Sequence, residues 1–138
     1  VELSAVDLGK DLAEMTRSPA QLVTEFCELW ASPDPEKLAA FFAEDAVYHN
    51  IPMEAVRGRE AIKQFITGFT ADYSGIDFAV HRQISDGNVV MNERTDTLHR
   101  KDGVSVELPV MGVFEIVDDH IAAWRDYFDI AMFTKGLG

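Results

Sequence analysis

The stretch NERTDTLHR, Asn92–Arg100, follows VVM and leads towards VELPVMGVFEIV, so both of its neighbours read as strand. Side chains of a strand alternate between two faces. That puts Val90, Asn92, Arg94, Asp96 and Leu98 on one face, and Val89, Met91, Glu93, Thr95 and Thr97 on the other. An arginine and an aspartate then share the apolar face, where a simple core has no use for them.

Working outward, period-two patterning begins after Gly75 and continues through IDFAVHRQIS, GNVVMNERTDTLHR, VSVELPVMGVFEIV and HIAAWRDYFDI. The segments SDGN, KDG and VDDH are the turns between these strands. The first half of the chain has a different period. Pro19 can open a helix at its first turn, and Leu22, Val23, Phe26, Cys27 and Trp30 follow at helical spacing. That helix is expected to stop near ASPDP, where Asp34 reads as the N-cap of a short helix beginning at Pro35. DAVYHNIP reads as a short strand ended by Pro52. In REAIKQFITGFT, residues 59–70, Ile62, Phe65, Ile66 and Phe69 mark a further helix, with RGRE as its start.

Helices followed by an antiparallel meander, with one early strand, imply an α+β fold. The expected architecture is a curved mixed or antiparallel sheet wrapped around three to four helices, a cone enclosing a deep apolar pocket. Residues 1–18 read as an N-terminal arm or short helix, and 19–138 as a single domain.

Composition limits the functions open to this domain. The chain has 138 residues, 47% of them hydrophobic, and a net charge of −12. A nucleic-acid binder needs a basic footprint, and a surface this acidic also disfavours anionic membranes. The single cysteine, Cys27, lies in the apolar helical pattern LVTEFCELW and reads as a buried, inert thiol. There is no apolar run of membrane-spanning length and no basic start leading into an apolar leader, so a cytoplasmic location is expected. His49, His81, His99 and His120 show none of the close pairings of a metal site, and no metal is expected.

The misplaced polar residues carry the functional signal. In the last strand, Asp126 shares a face with Trp124 and Phe128. In the early strand, Tyr48 and Asn50 share a face with Ala46, while His49 points the other way. Neighbouring strands lie roughly 4.8 Å apart, so Asp126, Arg94 and Asp96 meet where the registers match. Each residue alone has a plain structural explanation, since arginine–carboxylate pairs and satisfied Tyr and Asn side chains are common in cores. Five polar groups at inward positions are harder to explain by stability, because each buried ion costs several kcal/mol before compensation. A guanidinium between two carboxylates can hold them in different protonation states, one as base and the other as acid. Tyr48 and Asn50 then supply neutral groups suited to fixing a water molecule.

The segments YHN, ERTD, LPVMGVFEI and WRDYFD, in this order, resemble the limonene-1,2-epoxide hydrolase family from about Leu22 to Phe133. The resemblance implies a nuclear-transport-factor-2-like cone, usually a homodimer, acting on a small hydrophobic epoxide and water without a metal or organic cofactor. It implies that Asp126 is the general base, that Tyr48 and Asn50 hold the water, and that Asp96 is the general acid. Arg94 would orient both aspartates. Water would open the ring in one step, with no enzyme ester. Apolar walls are expected from Leu98, Leu108, Val110, Phe128 and Trp30, and from Phe133, which matches a pocket position of the family. Ordinary core packing fits each wall residue equally well.

Fold alone does not decide function. A ketosteroid-isomerase-like or polyketide-cyclase-like enzyme uses a lone carboxylate base with a Tyr–acid oxyanion pair and no bridging arginine, so activity surviving Arg94→Lys or Arg94→Met favours it. A non-catalytic ligand-binding domain predicts dispensable aspartates and no epoxide turnover.

Overall fold

The computed structural model describes residues 17–137. The arm or short helix expected over 1–18 therefore lies outside the described residues except for its last two. Ser18 caps helix α1 (Pro19–Leu29) through a capping box, in which its hydroxyl accepts from the Gln21 N–H and its own N–H donates to the Gln21 side chain. Arg17 pairs with Glu25 and donates to Asp119 at 3.1 Å. Asp34 caps the short helix α2 (Pro35–Ala39), accepting from the Glu36 and Lys37 amides. The chain then forms β1 (Phe42–Asn50), β2 (Val56–Arg57), α3 (Arg59–Thr70), β3 (Tyr73–Asp86), β4 (Val89–Arg100), β5 (Ser105–Val117), β6 (His120–Tyr127) and α4 (Ile130–Gly136).

One six-stranded sheet runs in the order β2-β1-β6-β5-β4-β3. Strands β3 to β6 form the expected antiparallel meander. The early strand does not extend that meander. It pairs parallel to β6, which makes the sheet mixed. The physical reason is the crossover: β2 and α3 carry the chain to the far edge before β3 begins, and the meander walks back to β1. Asp118 and Asp119 turn β5 into β6 with φ of 49° and 59°, the two positive angles of a type I′ hairpin. Irregularities between Val80 and Arg82 in β3, and between Phe42 and Val47 in β1, bend the sheet.

Two elements depart from the sequence reading. HIAAWRDYFDI, expected to be all strand, leaves the sheet after Tyr127, and Asp129 accepts from the Ala131 N–H to cap α4. The residues after Pro52 include a two-residue strand, β2, that pairs with Val47 and Tyr48. RGRE does start a helix, as expected, with Gly58 at the N-cap.

The core fills the concave side of the sheet. Phe26 of α1 meets Trp30, Phe42, Phe114 and Trp124 edge-on, with centroids 5.0–6.2 Å apart, the favoured geometry for aromatic pairs. Cys27 is buried there, and burial pushes its thiol up to about 12. No helix among the described residues is long and apolar enough to cross a membrane.

Candidate active site

Strand β4 alternates as the sequence suggests: Val90, Asn92, Arg94, Asp96 and Leu98 are buried, while Met91 and Glu93 are exposed. Asp126 and Arg94 come from β6 and β4, which are not neighbours; β5 lies between them. The cross-strand register explains how they still meet. Asn50, Asp126, Gly112, Asn92 and Gln83 form one row across β1, β6, β5, β4 and β3. Gly112 stands at the middle of that row, and the guanidinium of Arg94 lies over it. A Cβ at Gly112 would fall closer to Arg94 Nη1 than real atoms approach, and 2.9 Å from Asp126 Oδ1. The glycine leaves the opening through which the arginine spans two strand spacings.

The Arg94 side chain is fully buried, and all five of its N–H donors are used. Nε and Nη2 donate to the two Asp96 oxygens, each at 2.9 Å. Nη1 and Nη2 donate to Asp126 at 3.2 and 2.8 Å, and the remaining Nη1 bond goes to Asn92 Oδ1 at 3.0 Å. Each aspartate is therefore held by a two-pronged contact, the strong geometry for this pair. The Phe78 ring covers the guanidinium at 4.5 Å, in reach of a cation–π attraction. Trp124 Nε1 adds a 2.7 Å hydrogen bond to Asp126 Oδ1.

Burial and the contacts with Arg94 act against each other in this cluster. Burial opposes the charge on Arg94, but the contacts with Asp126 and Asp96 outweigh it and hold the guanidinium protonated well beyond its ordinary range. Burial pushes Asp96 above the usual carboxylate value, against the pull of Arg94. Tyr48 stacks on Trp124 with centroids 4.3 Å apart. Burial, then the charge of Asp126, raise its phenol far above the ordinary value, so it stays a neutral donor. Its hydroxyl donates to Asn50 Oδ1 at 3.4 Å.

A cavity of ≈ 210 Å³ opens onto these groups. Tyr48, Asn50, Asp96 and Asp126 are its polar lining, while Arg94 sits behind the two carboxylates and does not line it. All six expected wall residues, Trp30, Leu98, Leu108, Val110, Phe128 and Phe133, do line it. The sequence reading missed Met53, Phe65, Phe69, Ile76 and Phe78. Phe65 and Phe69 carried a signal, being one turn apart on α3, but helical period alone does not separate core from cavity. Asn92 was visible on the face of Arg94, whereas Gly112 gave no signal without the register. Among the described residues, no group of three or more His, Cys, Asp and Glu side chains is arranged to hold a metal ion.

Residues 17–137 match the model of the limonene-1,2-epoxide hydrolase catalytic domain. The epoxide hydrolase EphG of Mycobacterium tuberculosis is 33% identical over 115 residues, 83% of this chain and 76% of that protein. The solved structure of an M. tuberculosis epoxide hydrolase of the same type superposes with a TM-score of 0.76 at 32% identity, covering 86% of this chain and 88% of that one. A SnoaL-like polyketide cyclase, so described, from Shewanella putrefaciens reaches a TM-score of 0.77 at 14% identity, over 86% of this chain and 95% of its own. At that identity the likeness speaks for the fold alone.

Proposed function

The chain belongs to the limonene-1,2-epoxide hydrolase family, and from that premise we propose that it adds water to a small, hydrophobic, terpene- or cycloalkene-like epoxide to give a vicinal diol. The observation that carries this reading is one buried guanidinium gripping two carboxylates at the polar end of an otherwise apolar cavity. The cavity is smaller than the ~300–1,000 Å³ typical of drug-sized ligands, which suits a compact substrate.

An epoxide oxygen leaves poorly as an alkoxide, so ring opening at neutral pH needs a proton delivered as the nucleophile attacks. In the proposed step Asp96 gives its proton to the epoxide oxygen while the C–O bond breaks. Water, held by Tyr48 and Asn50, bonds to the carbon and passes its proton to Asp126. Asn50 is the cross-strand neighbour of Asp126, and Tyr48 that of Trp124, so the water side is built on the parallel β1–β6 pair. After turnover Asp126 carries the proton and Asp96 is ionised. Exchange between the two aspartates bridged by Arg94 restores the starting state. A positioned acid and base contribute about 10²–10⁴-fold each. The family also implies a homodimer, and the outer face of the sheet offers it a surface, with Ile84 exposed beside Met91 and Met111 beside Tyr127.

The test is a single turnover of cyclohexene oxide or limonene-1,2-epoxide in ¹⁸O water, with enzyme in excess and an Asp126→Asn variant alongside. Diol carrying solvent ¹⁸O in the first turnover, together with an inactive variant, is expected. First-turnover oxygen from the protein would show an enzyme ester and overturn direct attack by water.

A further inference from the structure

The polar row continues past the groups given roles above. Beyond Gly112 it runs to Asn92 and then Gln83, on the side turned away from the cavity. Asn92 is 1% exposed, and its side chain links three elements. Its Oδ1 accepts from Arg94 Nη1 at 3.0 Å, and its Nδ2 donates to Gln83 Oε1 at 3.2 Å and weakly to Cys27 Sγ at 3.8 Å. Gln83 Nε2 in turn donates to Ala20 O and Thr24 Oγ1 of α1, each at 3.2 Å.

The direction of this chain is forced. A guanidinium can only donate, so the amide oxygen of Asn92 must face Arg94, and its NH₂ must face Gln83. A backbone carbonyl can only accept, so Gln83 must turn its NH₂ to Ala20. Each bond therefore polarises the next in the same sense, and the chain ends on the first turns of a capped helix. Of the groups that Arg94 binds, Asn92 is the uncharged one and the one outside the cavity lining.

We propose that Asn92 is a positioning residue for the hydrolysis, anchoring the guanidinium to α1 through Gln83 and filling its last donor with a neutral acceptor. The inference rests on the roles given above to Arg94, Asp96 and Asp126. Anchoring prevents the guanidinium from rotating out of the plane that serves both carboxylates. Neutrality leaves the whole charge of Arg94 to the two aspartates, which favours an ionised carboxylate beside the guanidinium. A third carboxylate at this place would compete for the same charge. The titratable groups that face the cluster are Asp96 on β4, Asp126 on β6, Tyr48 on β1 and Cys27 on α1.

Asn92→Leu removes the acceptor at similar volume, and Asn92→Asp keeps the acceptor but adds charge. Each would be compared with wild type in cyclohexene oxide hydrolysis across pH, in thermal unfolding, and in hydrogen exchange of the Arg94 guanidinium protons by ¹⁵N NMR. Asn92→Leu, once shown to be folded, is expected to lose about 10²-fold in kcat, the scale of a small misplacement of reacting groups, with KM little changed. Its Nη1 protons should exchange faster than those of wild type. Asn92→Asp is expected to retain slow exchange, while both limbs of its kcat/KM profile move up by about one pH unit, because an added anion favours protonated carboxyls. A folded Asn92→Leu with wild-type kcat and exchange overturns the proposal. So does an Asn92→Asp profile that stays in place, and this variant decides the matter if Asn92→Leu does not fold. Should wild type open no epoxide, the hydrolase reading fails, and the exchange measurement alone still decides whether Asn92 anchors Arg94.

Discussion

Asp96 and Asp126 have the same side chain and share one guanidinium, but they occupy unlike halves of the site. Asp96 lies between Phe78 and Leu108 across its strands, and the hydrogen bonds it receives come from Arg94. Asp126 lies between Asn50 and Gly112, and it receives the Trp124 indole N–H as well as two bonds from Arg94. Burial raises the carboxyl of Asp96, which favours the acid role proposed for it. Asp126, with Asn50 beside it, stands on the side where the water is proposed to be held. The lesson is that neighbours set by sheet register, rather than residue type, make the two carboxylates unlike, and the proposed division into acid and base rests on that difference.

The largest blow to this contrast is Arg94→Met, which leaves two buried carboxylates facing each other without a counter-charge. Removing one partner of a buried pair costs about 3–5 kcal/mol, so urea unfolding should show a loss of that size and epoxide turnover should vanish. Turnover that survives would mean the two halves do not work through the arginine.

Gly112→Ala is expected to come next. The new methyl group displaces the guanidinium from over β5 and separates the halves without removing any functional group. Its predicted effect is about a 10²-fold fall in kcat, and a stability loss of about 1–3 kcal/mol from overpacking. Wild-type kcat in this variant would show that the opening at Gly112 is not needed.

A pH titration sharpens the comparison from the acid side. Because burial raises Asp96 in the folded protein, the folded state holds this proton at pH values where the unfolded chain has released it. Stability from this group is present below the ordinary aspartate value of about 3.9 and is lost as pH rises through the raised folded value. The rate should fall over that same upper range. Leu108→Thr brings a hydroxyl to the apolar flank and should move this upper limb of kcat/KM to lower pH, while a limb that stays in place would mean that Asp96 is not the acid.

The smallest effect is expected at the cavity lining, with Met53→Ala. Met53 lines the cavity but is 44% exposed, so stability should change by no more than about 0.5 kcal/mol. KM for a bulky epoxide should rise by a few fold while kcat stays put. A change in kcat instead would place Met53 nearer the reacting atoms than its exposure suggests.

Much of the acid half was legible in the sequence because it is local. Arg94 and Asp96 are two apart on one strand, so alternation alone puts them on one face, as it does Trp124 with Asp126 and Tyr48 with Asn50. The six wall residues were legible on mixed grounds: Leu98 and Phe128 lie beside the polar groups, Leu108 and Val110 on the next strand, Trp30 in the helical pattern, and Phe133 at a position of the family. The parallel pairing of β1 with β6 was not legible, because nothing local to YHN says which strand it will join. The capped helix after Phe128 was also missed: WRDYF alternates well enough to continue as strand, and the helix starts where Asp129 accepts from the Ala131 N–H.

By itself, then, the sequence determined which side chains face inward, since strand and helix periods follow from backbone geometry and act within a few residues. Tertiary structure alone decided that β1 would pair parallel with β6, that Gly112 would stand where Arg94 must pass, and that Asn92 and Gln83 would tie the arginine to α1. Those are long-range registers, set by the packing of the whole sheet against its helices, and no short stretch of chain encodes them.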